Sequence, residues 1–76
     1  MSASLDELDM KILKALAEAG QPLRPKEIAE RINEDGRRVA AKMRKLVRLG
    51  YVERLGDGRY QITDAGRQVV EQQATA

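Results

Sequence analysis

The sequence predicts a single α+β domain over residues 1–76: three helices, a two-stranded β-hairpin and a closing helix. Three observations carry that expectation. Apolar residues recur at helical spacing in three stretches ahead of Gly50. The second and third stretches meet at Asn33-Glu34-Asp35, a polar turn that begins with a residue tolerant of left-handed backbone and ends with a helix cap. Further on, Gly56-Asp57-Gly58 separates two short runs of strand-forming residues, and Asp-Gly is a strong hairpin signal.

Taken in order, Ser4 and Glu7 fit a capping box, so a first helix is expected to begin at Leu5. Leu5, Leu8, Ile12, Ala15, Leu16 and Ala19 then fall within about 100° of one another, an apolar stripe that faces a core. Gly20 suits the left-handed residue after the helix, and Pro22 forbids its continuation. Met10, Leu13 and Ala17 make a second, weaker stripe. Expected to be partly exposed, they are the candidate surface for a homodimer, with the last helix as a further contributor.

Pro25 suits the first position of a second helix over 25–32, with Ile28, Ala29 and Ile32 on its buried side. Asn33 makes the sharp turn, and Asp35 caps a third helix over 36–49, where its carboxylate also opposes the positive end of the helix dipole. In that helix Val39, Met43, Leu46 and Val47, with Gly50 after it, are expected on one side. Arg37, Arg38, Ala41, Arg44, Lys45 and Arg48 lie on the other, with Lys42 at the edge. Strands are expected over 51–55 and 59–63, with Tyr60 and Ile62 returning to the core. Thr63 caps a last helix over 64–73, which Val69 and Val70 anchor.

Composition narrows the function. The chain has no cysteine and no histidine, which excludes disulfides, thiolate or imidazole metal sites and nucleophile–histidine catalysis. No cofactor is expected. Asp6, Glu7, Asp9 and Glu18 crowd one helix, yet acidic residues on a solvated helix are ordinary and no catalytic cluster accompanies them, so an enzyme is not expected. No apolar run approaches a membrane span and no signal-peptide layout is present, which predicts a soluble, cytoplasmic protein. At this length only about 60% of the unfolded surface can be buried, and pairing of two copies would supplement a small core.

The net charge of +2 hides an uneven distribution. Five basic residues stand against eight acidic ones over 1–35, eight against two over 36–59, and one against two over 60–76. A basic middle between acidic flanks is how a polyanion-binding surface is written into an otherwise balanced domain. Like charges along the third helix repel mildly. A face that bears this repulsion without carboxylates to relieve it is expected to await a partner that supplies the negative charge.

Three helices, a hairpin and a further helix resemble the winged helix-turn-helix domains of prokaryotic transcription regulators, with the helix-turn-helix at 25–50, the wing at 51–63 and the last helix at 64–73. Ala29, Asn33 and Val39 match the family spacing of a small residue, a turn residue and a branched apolar anchor. Leu46-x-x-x-Gly50-Tyr51-Val52 and the run from Ile62 to Arg67, ITDAGR, are similar to the wing entry and following helix of MarR-like and ArsR-like regulators. Glu34 stands where the turn is usually apolar, Arg24 where a Ser or Thr cap is common, and the wing is short. A metal switch is not carried over, because the residues for it are missing, and no small-molecule effector is evident.

The resemblance implies double-stranded DNA as partner and the third helix as the recognition helix. Arg37, Arg38, Ala41, Arg44 and Lys45 would face a major groove, and Arg48 and Lys26 would meet phosphates. Arg54 and Arg59 in the wing would touch the backbone or a minor groove; alternatively, they keep an edge hairpin soluble. If about six cations neutralise phosphates, log K should fall with log salt at a slope of roughly −5. The alternative function is a winged-helix protein–protein module in a larger nucleic-acid-handling assembly. RNA binding has little support, since Tyr51 and Tyr60 are the only aromatic residues.

Overall fold

The computed structural model describes residues 5–74. Its elements run α1 (Glu7–Ala19), α2 (Pro25–Ile32), α3 (Gly36–Arg48), β1 (Val52–Arg54), β2 (Tyr60–Ile62) and α4 (Asp64–Ala74). Each begins or ends within two residues of its expected bounds, where local chemistry dictates. α1 starts at Glu7, two residues later than expected, because Asp6 and Asp9 form the capping box. Asp9 N–H donates to Asp6 Oδ1 at 2.9 Å and Asp6 N–H to Asp9 Oδ2 at 2.9 Å. The expected cap at Ser4 lies outside the described residues.

Asn33 takes the left-handed conformation, with φ at 58°. Its N–H and that of Glu34 both donate to Ala29 O, which closes α2 and starts the turn. Asp35 Oδ1 then accepts from Arg37 N at 2.8 Å and opens α3. α3 closes in a Schellman arrangement, with Tyr51 N–H donating to Leu46 O and Gly50 N–H to Val47 O, both at 3.0 Å, while Gly50 has φ of 84°. The helix thus hands directly over to β1.

The core joins Leu8, Ile12, Leu13, Ala15 and Leu16 of α1 to Leu23, Ile28, Ala29, Val39, Met43, Leu46 and Val52. α1 is its axis, touching α2, α3, α4 and β2. That encirclement corrects the second-stripe expectation: Leu13 is 0% exposed and belongs to the core. Met10 is half-buried against the same core and Ala17 is half-buried. The apolar side of α3 also differs from expectation, since Val47 is 37% exposed while Val39, Met43 and Leu46 are fully enclosed.

β1 and β2 pair antiparallel with Val52 opposite Ile62, Glu53 opposite Gln61 and Arg54 opposite Tyr60. The strands are shorter than expected by a residue or so at their ends. An unforeseen bridge lies on the far side of β2: Leu23 N–H donates to Tyr60 O at 2.9 Å, and Tyr60 N–H to Leu23 O at 2.8 Å. The α1–α2 connection therefore acts as a third, one-residue strand. Thr63 caps α4 as expected, accepting from Gly66 N at 3.1 Å, and its hydroxyl also donates to Gly50 O at 2.6 Å. A methyl group at Gly66 would sit 2.2 Å from Tyr51 O, so glycine is what allows α4 to lie against the wing entry. No helix among the described residues is long and apolar enough to cross a membrane.

Candidate nucleic-acid interface

α3 carries cations on two separate ridges, and the fold treats them differently. Arg37, Ala41, Arg44 and Arg48 follow each other at i, i+4, i+7 and i+11, which keeps them within about 60° of one another. All four are exposed, and no carboxylate among the described residues pairs with their side chains. Arg38, Lys42 and Lys45 form a second ridge about 100° further round. Each of these three meets a carboxylate.

Lys42 Nζ lies 2.5 Å from Asp6 Oδ2, and Lys45 Nζ lies 2.5 Å from Asp9 Oδ2. Asp6 and Asp9 are three residues apart on the α1 end, and so are Lys42 and Lys45 on α3, so the two helices pair their charges in step. Arg38 Nη1 reaches Glu34 Oε1 at 3.4 Å, and the other oxygen of Glu34 accepts from Lys11 Nζ at 3.3 Å. Glu34, which departs from the apolar residue usual at its turn position, thus ties α1 to α3. The sequence expectation that no carboxylate relieves the basic face is corrected for this ridge.

Asp9 is 0% exposed, with Oδ1 buried and without a hydrogen-bond donor among the described residues. A buried carboxylate needs a compensating charge, and Lys45 provides it. Lys45 is accordingly half-buried, with its ammonium engaged by Asp9. The hydrogen bond from Lys42 holds the Asp6 carboxyl well below the usual carboxylate range, and the Asp6 bond in turn raises Lys42. Sequence reasoning missed Asp6, Asp9 and Glu34 as partners. The signal was present in the matched three-residue steps, but it becomes readable only once α1 and α3 are known to lie together.

The remaining expected residues fall as follows. Lys26 is exposed in the first turn of α2. Arg24, the residue before α2, has no side-chain cap to offer; Glu27 Oε1 accepts from its N–H at 2.8 Å instead. Arg54 is exposed on β1 and faces α3 across a cleft of about 330 Å3 lined by Arg44, Val47, Arg54 and Tyr60. Arg59 is held at the hairpin tip, its Nε 2.7 Å from Asp57 Oδ2, while its own N–H holds the Asp57 carboxyl below its ordinary range. A larger groove, about 400 Å3, is lined by Lys11, Lys14, Ala15, Glu18, Arg31 and Ile32 and includes no α3 residue. The structure therefore brings Arg37, Ala41, Arg44, Arg48 and Arg54 to one side, and sets Arg38, Lys42, Lys45 and Arg59 in internal pairs. No group of three or more Asp or Glu among the described residues could hold a metal ion.

Residues 5–53 match the sequence profile of the winged helix-turn-helix DNA-binding family. The chain belongs to that family. A solved structure from Pseudomonas aeruginosa PA01, provisionally named a transcriptional regulator, superposes with a TM-score of 0.78 at 24% identity over 88% of this chain. That likeness is one of fold, and the chain spans 50% of the length of that protein. Comparison with curated proteins returned no match.

Proposed function

We propose that the chain is a DNA-binding transcription regulator that lays α3 in a major groove of double-stranded DNA, with the β1–β2 hairpin as a wing beside it. The observation that carries this is the exposed ridge of Arg37, Ala41, Arg44 and Arg48, whose cations meet no carboxylate among the described residues while those of the neighbouring ridge do. A fold that had only to solubilise α3 would have no reason to divide its cations in this way. Arg54 across the cleft and Lys26 at the α2 N-terminus supply phosphate contacts, the latter helped by the helix dipole. The role is binding, with no catalytic step, and the site of action is the cytoplasm.

Two copies reading two half-sites complete the proposal. Leu13 takes no part in that contact, since the core encloses it; Met10 and Ala17 remain as the α1 surface for it. Sedimentation at high micromolar concentration should show a dimer, and a monomer there would remove this part. For DNA binding itself, a titration on duplex DNA should give tight binding at low salt. The slope of log K against log salt should lie between roughly −3 and −5. No binding at low salt, or unaltered binding by the Arg37→Ala/Arg44→Ala variant, would overturn the reading.

A further inference from the structure

We propose that α3 selects guanines, with the methyl group of thymine as a second recognition element, and that Arg37, Ala41 and Arg44 are the residues that specify them. The inference rests on the reading of the chain as a DNA-binding protein with α3 in the major groove. It comes from what α3 lacks as much as from what it carries. Its thirteen residues, GRRVAAKMRKLVR, include no amide, no carboxylate and no hydroxyl, and the one weak acceptor, the Met43 sulfur, is buried, so no exposed α3 side chain can accept a hydrogen bond. In the major groove adenine offers an acceptor beside a donor, cytosine a donor, guanine two acceptors, and thymine an acceptor and a methyl group. A helix without side-chain acceptors cannot satisfy the amino groups of adenine or cytosine. A guanidinium, with two parallel donors, satisfies both acceptors of guanine.

The ion pairs rank the cations for that work. Lys42 and Lys45 are held by Asp6 and Asp9, and Arg38 by Glu34. The fork-shaped donors left without a carboxylate among the described residues on α3 are Arg37, Arg44 and Arg48. Arg48 is the last residue of the helix, where it meets a phosphate more readily than a base. Arg37 and Arg44 are separated by about 10 Å along the axis at about 1.5 Å per residue, close to three base-pair steps of roughly 3.4 Å. Exposed Ala41 lies between them on the same ridge, and a methyl side chain flanked by two forked donors suits a thymine methyl between two guanines.

The test is a selection from a random duplex library with the full chain and with Arg37→Lys and Arg44→Lys. Both substitutions keep the charge and remove the fork, and both positions are exposed, so folding should be unchanged by thermal melting. The wild type should enrich guanines at two positions about three steps apart, with thymine between them. Each lysine variant should still retain DNA at low salt while its preference at one of those positions falls roughly 5- to 150-fold. Replacing the selected thymine by uracil, which lacks only the methyl, should weaken wild-type binding. A retained pool with flat or A·T-only composition, or lysine variants that select the unchanged motif, would overturn the base assignment and leave DNA binding standing. A library with nothing retained at low salt would overturn both.

Discussion

The two ridges of α3 both carry cations in the same helix, yet one meets carboxylates of α1 and the turn and the other meets none among the described residues. The Arg38, Lys42 and Lys45 ridge lies against α1 and the turn, where Asp6, Asp9 and Glu34 meet it. The Arg37, Arg44 and Arg48 ridge has rotated past those carboxylates. Charge alone therefore does not mark a nucleic-acid contact. A better candidate is charge that meets no carboxylate among the described residues, and the difference between the two ridges is only about a quarter turn of helix.

The largest expected effect tests the inner ridge. Lys45→Ala leaves Asp9 buried without its cation, and breaking a buried pair at one end costs about 3 kcal/mol or more. A domain of this size is held by only about 4–11 kcal/mol. Thermal unfolding should fall by roughly 10–25 °C. The Asp9→Leu/Lys45→Met double variant should recover part of that loss, since an apolar pair replaces an ionic one while Asp6 N–H loses its Asp9 acceptor; a double variant less stable than Lys45→Ala would mean that the unpaired buried charge is not the cause. A binding test that changes Arg44 and Lys45 together would therefore confound affinity with folding.

Next in size is the outer ridge. Arg44→Ala should change stability by less than about 0.5 kcal/mol, because exposed substitutions away from packed features seldom do more. It should weaken DNA binding by roughly 1–3 kcal/mol if the side chain reads a base, or reduce the salt slope by about 1 if it contacts a phosphate. A large fall in melting temperature would break the distinction between the ridges.

Acid titration gives a smaller effect with a definite sign. The folded Asp6 carboxyl titrates below its ordinary 3.8, so its bond to Lys42 contributes stability that is present above that pH and lost as pH falls through the lower folded value. Asp6→Asn should flatten the stability profile below about pH 4. A profile unchanged by the substitution would show the pair to be inert. The smallest effect is expected at the wing tip, where Arg59→Ala removes an exposed pair with Asp57 and should leave the chemical-denaturation midpoint nearly unchanged.

What could be read from the sequence was local. Asn33, Asp35, Thr63 and Gly50 act on backbone groups within a few residues of themselves, so their identities announce the turn, the caps and the helix end. The Asp6–Lys42 and Asp9–Lys45 pairs join residues 36 positions apart, and nothing in either helix alone reveals that they meet. Leu13 was misplaced for the same reason. A single apolar stripe describes a helix packed on one side, whereas α1 is packed on several. Of the interface, Arg37, Ala41, Arg44, Arg48 and Arg54 stand exposed as expected. The pairing of Lys45 was not legible because its partner lies on another helix.

The paired hydrogen bonds between Leu23 and Tyr60 bear on how such a domain would measure DNA. They fasten the α1–α2 connection to the base of the hairpin, and the Thr63 hydroxyl fastens the other side of that base to Gly50 at the end of α3. The span from α3 to Arg54 is thereby set as in a caliper whose jaws do not slide. On the proposed reading, a duplex whose grooves are spaced differently would have to bend or twist to meet both jaws, and its stiffness would become part of the discrimination.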